Sequence, residues 1–337
     1  MAFFHTDEKL IKIGDRLLDA TWKKFPTLQQ DQIALTWIVY DNPVPVNTGG
    51  ALSYHEFWKY HVRGFNYRGA ELIYPASIVK LFYLVAVHEW LATGMIKPSK
   101  ELDRAIRDMI IDSSNDATSL VIDTITGTTS GPELTAGPFD TWKQQRSIVN
   151  RYFQSLNWEE LTGINVNQKT WGDGPYGREK IFVGESYQNR NMLTTNAVAR
   201  LLHSIVGGVA VSSTRSQSMM ELLKRDINPE NLNYEDENQI TGFLGEGLPI
   251  DSQIWSKAGW TSKVRHDSAY IEVPNLQPYL LVVFTQGEDQ AKNKQILPFI
   301  SEMVVEYMGR LDQPEEEEES KDELELESIT EEVDDNN

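Results

Sequence analysis

Three short patterns in this sequence combine residue types that can open an amide carbonyl. The first is Ser77-Ile78-Val79-Lys80. If these residues start a helix, positions three apart share a face, and the Lys80 amine lies beside the Ser77 hydroxyl. A serine hydroxyl is a useful nucleophile only when a base takes its proton. Lysine serves as that base when burial and neighbouring cations depress its pKa. A helix N-terminus adds partial positive charge and free N–H groups near the attacked carbonyl. The second pattern is Ser113-Ser114-Asn115, between two predicted helices. A loop there can hang a hydroxyl and an amide into a cleft, one to relay a proton to a leaving nitrogen and the other to hold a substrate carbonyl. The third is Lys257-Ala258-Gly259, on a predicted strand. Its cation can face the cleft, and Gly259 lets a substrate backbone come close to the strand edge.

Each pattern alone arises by accident about once in a chain of this length. Ser155-Leu156-Asn157 repeats the second and Lys12-Ile13-Gly14 repeats the third. Context separates them: Ser155 ends a helical stretch and Lys12 sits within one. Only one set runs in the order nucleophile, loop, strand, with each pattern on the element its role requires.

The elements that must position these groups follow from periodicity. Residues 6–25 carry apolar positions at helical spacing, and Ile33 to Tyr40 reads as a buried strand. Residues 51–68 are aromatic-rich and suggest a strand and a turn. Pro75 to Thr93 reads as a helix with Pro at its first position and Gly94 just past its end. Further helices are predicted over 102–111, 117–126, 139–156, 194–206 and 214–225. From Leu161 to Leu193 runs a long Gly- and Asn-rich stretch, and loops of that length inside a domain are usually functional. Strands are predicted over 253–260, 264–273 and 279–285, then a helix over 290–308. The order predicts an α+β fold. Early and late strands share one antiparallel sheet flanked by the N- and C-terminal helices, with an all-helical lobe inserted. The expected boundaries are a catalytic domain over 1–311, with an α/β lobe from 1–74 and 249–311 and a helical lobe over 75–248.

Composition narrows the partners. The chain has 337 residues, 31 basic against 50 acidic, for a net charge of −19. That balance excludes a general electrostatic grip on nucleic acid or anionic lipid. Residues 312–337 hold fourteen of the acids and one Lys, so they are expected to stay disordered by self-repulsion. Without any Cys there are no disulfides, thiolate metal sites or cysteine nucleophiles. The six His show no metal spacing, and His55 and His61 read as structural; no metal and no cofactor is expected. Gly172-Asp173-Gly174-Pro175-Tyr176-Gly177 matches a dinucleotide fingerprint, but no strand precedes it and Pro175 interrupts it. With no apolar run near the roughly 18 residues of a membrane span and no leader pattern, a cytoplasmic location is expected.

The ordered set resembles the active-site serine hydrolases related to penicillin-binding proteins, most closely the class A β-lactamases, over roughly residues 30 to 308. Flanking residues support it: Tyr74-Pro75-Ala76 before Ser77, Met109-Ile110-Ile111-Asp112 before Ser113, and Trp255-Ser256 before Lys257 with Trp260 after Gly259. The resemblance implies that Ser77 attacks an amide carbonyl to form an acyl-enzyme, that Lys80 assists, and that Ser113 passes a proton to the departing nitrogen. It implies that Asn115 and Lys257 position substrate and relay, and that the backbone N–H groups of Ser77 and Trp260 hold the oxyanion. Arg265 is a candidate partner for a substrate carboxylate, set against an ordinary surface charge. Class A enzymes also carry a Glu, followed four residues later by Asn, that activates the deacylating water. Glu185 and Asn189 have that spacing here, and Glu179 is a second candidate.

The sequence departs from the family pattern in three places. Ser77 and Ser113 are 36 residues apart, shorter than usual, and Ser113 and Lys257 are 144 apart, longer than usual. Ala258 stands where the third motif customarily has Thr. The implied reaction is hydrolysis of a β-lactam or similarly strained, small-molecule or peptide-like amide. Two alternatives stand beside it: a peptidase or esterase using the same groups, and a non-catalytic binding module.

Overall fold

The apolar run at Ile33 forms β2 (Ile33–Val39), buried along its whole length, as a strand covered on both faces must be. The computed structural model describes residues 2–41, 50–232 and 238–311, so the acidic segment from Asp312 lies outside the described residues. β2 belongs to a seven-stranded sheet of order β1-β3-β2-β7-β6-β5-β4. The other strands are β1 (Phe4–Thr6), β3 (Val62–Tyr67), β4 (Lys224–Arg225), β5 (Gln253–Trp260), β6 (Val264–Glu272) and β7 (Tyr279–Gln286). Neighbours are antiparallel except β1, which runs parallel to β3. The meander β5–β6–β7 joins β2 directly, so early and late strands share one sheet, as expected.

The helices are α1 (Glu8–Lys24), α2 (Tyr54–Phe57), α3 (Lys80–Thr93), α4 (Lys100–Ile111), α5 (Asn115–Thr126) and α6 (Ala136–Arg146). They continue with α7 (Ile148–Ser155), α8 (Gly177–Val183), α9 (Thr195–Val206), α10 (Ser213–Leu223), α11 (Glu288–Lys292) and α12 (Ile296–Arg310). Strand alternation sorts the apolar side chains into two cores. Leu35, Trp37, Ala269 and Ile271 face the terminal helices, meeting Leu10 and Leu17 of α1 and Ile300 and Val304 of α12. Ala34, Ile38, Tyr270 and Leu280 face the helical side, with Leu84 of α3 and Leu201 of α9.

α3 organises that second core. Lys80 through His88 are all buried, so this helix is enclosed on every side and is not amphipathic. Ala76 to Thr93 is long and apolar enough to cross a membrane by composition, yet 72% of it is buried within the protein. It is a core helix, and whatever its first residue carries is carried into the interior.

Several expected elements differ in extent. The helix predicted over 139–156 is two helices, because Ser147 (φ −84°, ψ 10°) closes α6 and opens α7. The C-terminal helix breaks at extended Asn293, and Pro298 falls in the first turn of α12, where a missing N–H costs nothing. The helix predicted to end at Arg225 ends at Leu223, and its last two residues become β4, paired with Ile254 and Trp255. β1 went unpredicted because three residues carry no readable period. The 161–193 stretch contains α8; the bridge Asn165–Met192 joins its ends, and the bridge Ile73–Leu193 ties it to the segment before Ser77.

Three histidines are buried as neutral rings: His88, His203 and His266, with pKa lowered by burial from 6.5 to about 4, 3 and 4. A base held neutral in the fold contributes stability fully above its unfolded pKa and loses it as pH falls toward its folded one. Asp267, raised by burial to about 6, acts in the opposite sense but alone. The urea midpoint is therefore expected to fall as pH drops from 6.5 to 4.5. Neither ring nitrogen of His88 has a hydrogen-bond partner, so His88→Leu is expected to make that fall shallower; an unchanged slope would show that His88 does not contribute to it.

Candidate active site

Ser77 lies in a 3₁₀ turn (Ala76–Val79) that leads into α3, and Ala76 before it is held at φ 47°. A non-glycine residue in the left-handed region is strained and persists only where its surroundings enforce it. Pro75 and Ser77 are pressed from the sheet side by β5. A Cβ added to Gly259 would stand 2.8 Å from the Ser77 nitrogen, 2.9 Å from that of Ile78 and 2.9 Å from the Pro75 carbonyl oxygen. The glycine is what lets the strand touch the nucleophile's turn. His266, opposite Gly259 on β6, pins the same segment: Nε2 donates to the Tyr74 carbonyl (2.9 Å) and Nδ1 accepts from the Thr285 N–H (3.1 Å).

Lys80 enters the core at the first position of α3, and none of its surface is exposed. Its Nζ donates to the Ser113 carbonyl (2.5 Å) and Asn115 Oδ1 (2.9 Å), and lies 3.2 Å from Ser113 Oγ. Desolvation lowers its pKa from 10.5 to about 7, because a low-dielectric setting disfavours the charged form. Ser113 occupies the turn between α4 and α5 at φ 54°. Ser114 caps α5, accepting from the Ala117 N–H, so Asn115 is held at the first helical position.

Lys257 completes the cluster from β5. It is fully buried, with Nζ 3.0 Å from Ser113 Oγ, 2.5 Å from Gln239 Oε1 and 2.8 Å from its neighbour's Ala258 carbonyl. Burial first, then the nearby cations Lys80 and Arg225, hold it well below the usual lysine range, with Asp267 opposing. One hydroxyl therefore sits between two buried amines. β4 covers β5 only at Ile254 and Trp255. Beyond that the edge from Ser256 to Trp260 has no strand partner among the described residues and faces the turn of Ser77.

The family model for the β-lactamase enzyme family matches residues 100–308. The chain belongs to that family. The match takes in the Ser113 and Lys257 motifs and begins after Ser77 and Lys80, which the fold brings to them. Solved structures with this fold include PBP-A, at 15% identity and a TM-score of 0.60, covering 91% of this chain and 98% of that one. A β-lactamase from Sphaerobacter thermophilus is similar at 18% identity and a TM-score of 0.57, covering 88% and 98%. A class A β-lactamase variant of the last common ancestor of Gram-negative bacteria follows at 17% and 0.55, covering 88% and 97%. No curated protein matches the sequence.

The remaining predicted residues lie apart from the cluster. Glu185 is exposed in the turn after α8, and Asn189 faces away from it, accepting from Asn165 and Asn167 (both 2.9 Å). Glu179 is fully buried, its Oε1 accepting from Arg146 Nη2 (2.7 Å) and Ser130 Oγ (2.8 Å). Lys169, joined to Ser130 and Asp123, closes that network. Arg265 is only 6% exposed, which removes the surface-charge reading. It lies on the Asp267 face of β6, with Nε donating to the Ala291 carbonyl (3.0 Å) and its guanidinium 4.7 Å from the Phe243 ring centroid. Phe243 in turn meets Trp260 at 5.3 Å.

Groups that short patterns could not mark also shape the site. The loop from Asn165 to Leu193 is tied at its neck by Asn191, whose Oδ1 accepts from the Asn167 and Gln168 N–H groups (both 3.0 Å). Tyr83, one turn beyond Lys80, donates to the Gln168 carbonyl (2.6 Å) and so ties the loop to α3. Against this loop lies a cavity of about 810 Å³, lined by Tyr74, Trp171, Tyr187, Arg190 and Thr261 among others. Arg190 stacks on Tyr74 at 3.6 Å.

Gly259→Ala is expected to push β5 off the turn of Ser77 and to destabilise the fold by about 1–3 kcal/mol, since the Cβ would meet backbone that cannot swing aside. An unchanged urea midpoint in that variant would show that the close approach has no role.

Proposed function

We propose that the chain is a serine enzyme that opens β-lactams, or amides and esters of comparable activation, through an acyl-enzyme on Ser77. The observation that carries this is the Ser113 hydroxyl between two buried amines, 3.2 Å from Lys80 Nζ and 3.0 Å from Lys257 Nζ, beside the helix that begins just after Ser77. With its pKa near 7, Lys80 is neutral often enough to accept the Ser77 proton. Ser77 Oγ then bonds to the carbonyl carbon, and the backbone N–H groups of Ser77 and Trp260 take the oxyanion. As the C–N bond breaks, Ser113 gives its proton to the nitrogen and recovers one from Lys80, which ends neutral. Lys257 holds Ser113 Oγ in place, and Asn115 helps hold Lys80. Arg265, paired in register with Trp260 and packed on Phe243, is the candidate partner for a substrate carboxylate.

Release of the acyl group needs a second base to activate water. The two candidate carboxylates are otherwise engaged: Glu185, which has the spacing to Asn189, is exposed, and Glu179 is bound by Arg146 and Ser130. We infer that deacylation is slow and that the acyl-enzyme accumulates, the behaviour expected of a penicillin-binding protein more than of an efficient β-lactamase. A PBP-A variant of the same fold has been solved as an acyl-enzyme complex with penicillin G.

Intact-mass spectrometry after exposure to penicillin G is expected to show the whole drug added, since the ring-opened amine stays attached, with the adduct outlasting the incubation. Ser77→Ala should take none. Absence of an adduct on the wild type would favour a binding module, and rapid loss of the adduct would restore a hydrolytic base. The acylation rate should also rise with pH to a plateau, with a midpoint near the Lys80 value of about 7. Below it the amine is protonated and the rate drops about tenfold per pH unit. A flat profile would remove Lys80 as the base.

A further inference from the structure

One polar side chain joins the two halves of the cluster and belongs to none of the motifs. Gln239 is 6% exposed. Its Oε1 accepts from Lys257 Nζ (2.5 Å) and from the Ala258 N–H (3.2 Å) on β5. Its Nε2 donates to the Ile110 carbonyl (3.1 Å) and the Ile111 carbonyl (2.8 Å) at the end of α4. The amide has one consistent orientation, because every partner at the oxygen is a donor and every partner at the nitrogen an acceptor. Those carbonyls are ones a helix leaves unpaired at its C-terminus, and Ser113 follows them by two residues.

We propose that Gln239 is the positioning residue for Lys257: it holds the amine toward Ser113 and locks the strand to the turn that carries that serine. The inference rests on the acylation reading above. A neutral acceptor suits the task. Lys257 is faced by Lys80 from α3, Arg225 from β4 and Asp267 from β6, and Gln239 satisfies it without adding charge. A carboxylate in the same place would favour the protonated amines and keep Lys80 from acting as a base at neutral pH.

Arg225 makes the inference testable, because it also donates to the Ile110 (2.9 Å) and Ile111 (3.3 Å) carbonyls and to the Ser256 carbonyl (3.0 Å). When Gln239 is replaced, both helix carbonyls keep a donor and the fold is expected to persist. Gln239→Met keeps the length and removes the acceptor. Its acylation rate constant with penicillin G is expected to fall about 10- to 100-fold, as for a buried charge-assisted bond left unmade. Its thermal midpoint should fall by about a few degrees with the fold intact, because Lys257 and the Ala258 N–H lose an acceptor. In Gln239→Glu the midpoint of the acylation–pH profile is expected to move upward by about half a unit or more, which a purely structural loss would not do.

An acylating wild type whose two variants keep its rate and its midpoint overturns the inference alone. So does a Glu variant whose rate falls equally at every pH. A wild-type chain that takes no adduct overturns both the acylation reading and this inference.

Discussion

Two fully buried amines converge on a single, partly exposed hydroxyl oxygen. Burying one isolated cation is costly, and burying two side by side is worse. The fold meets that cost in two ways. Each nitrogen has three oxygen neighbours, drawn from the Ser113 turn, Asn115, Gln239 and a strand carbonyl. Each amine is also pushed toward its neutral form, Lys80 to about 7. In the proposed mechanism reactivity follows from desolvation: the same burial that makes charge expensive pushes a lysine toward its neutral, proton-accepting form.

The rest of the architecture serves that constraint. α3 is apolar on all sides, so its first residue enters the core. Ala76 and Ser113 adopt left-handed backbone, which turns the chain sharply at Ser77 and at the hydroxyl between the two amines. Gly259 removes the side chain that would keep β5 from the Ser77 turn. Around the rim, the Asn191 neck and the Arg146–Glu179 pair bind the long loop into a wall. That wall uses the carboxylate of Glu179 as structure.

Much of this was legible in the sequence, and the boundary is a physical one. The convergence of Lys80, Ser113, Asn115 and Lys257, with Gly259 against the Ser77 turn, could be anticipated because the chemistry proposed for them demands a residue type on a particular kind of element, and periodicity reveals the element. β2 and the late meander could be read for the same reason. Gln239 could not, since its partners lie 18 positions away on one side and 129 on the other, and an isolated Gln carries no local signal. Glu185 shows the limit of spacing alone: four residues separate it from Asn189, yet Glu185 is exposed while Asn189 is held by Asn165 and Asn167, and spacing cannot tell the two settings apart. Arg265 was half legible. Its strand was right, but burial against Phe243 could not be inferred from neighbours in sequence.

That the reactive amine opens the central core helix has a consequence for heat and denaturant. In most enzymes the catalytic groups sit on loops that can be disturbed while the scaffold stands. Here, under the mechanism proposed above, loosening around α3 admits solvent to Lys80 and restores its ordinary proton affinity. Reactivity and cohesion then share one helix, so heat removes both in a single event.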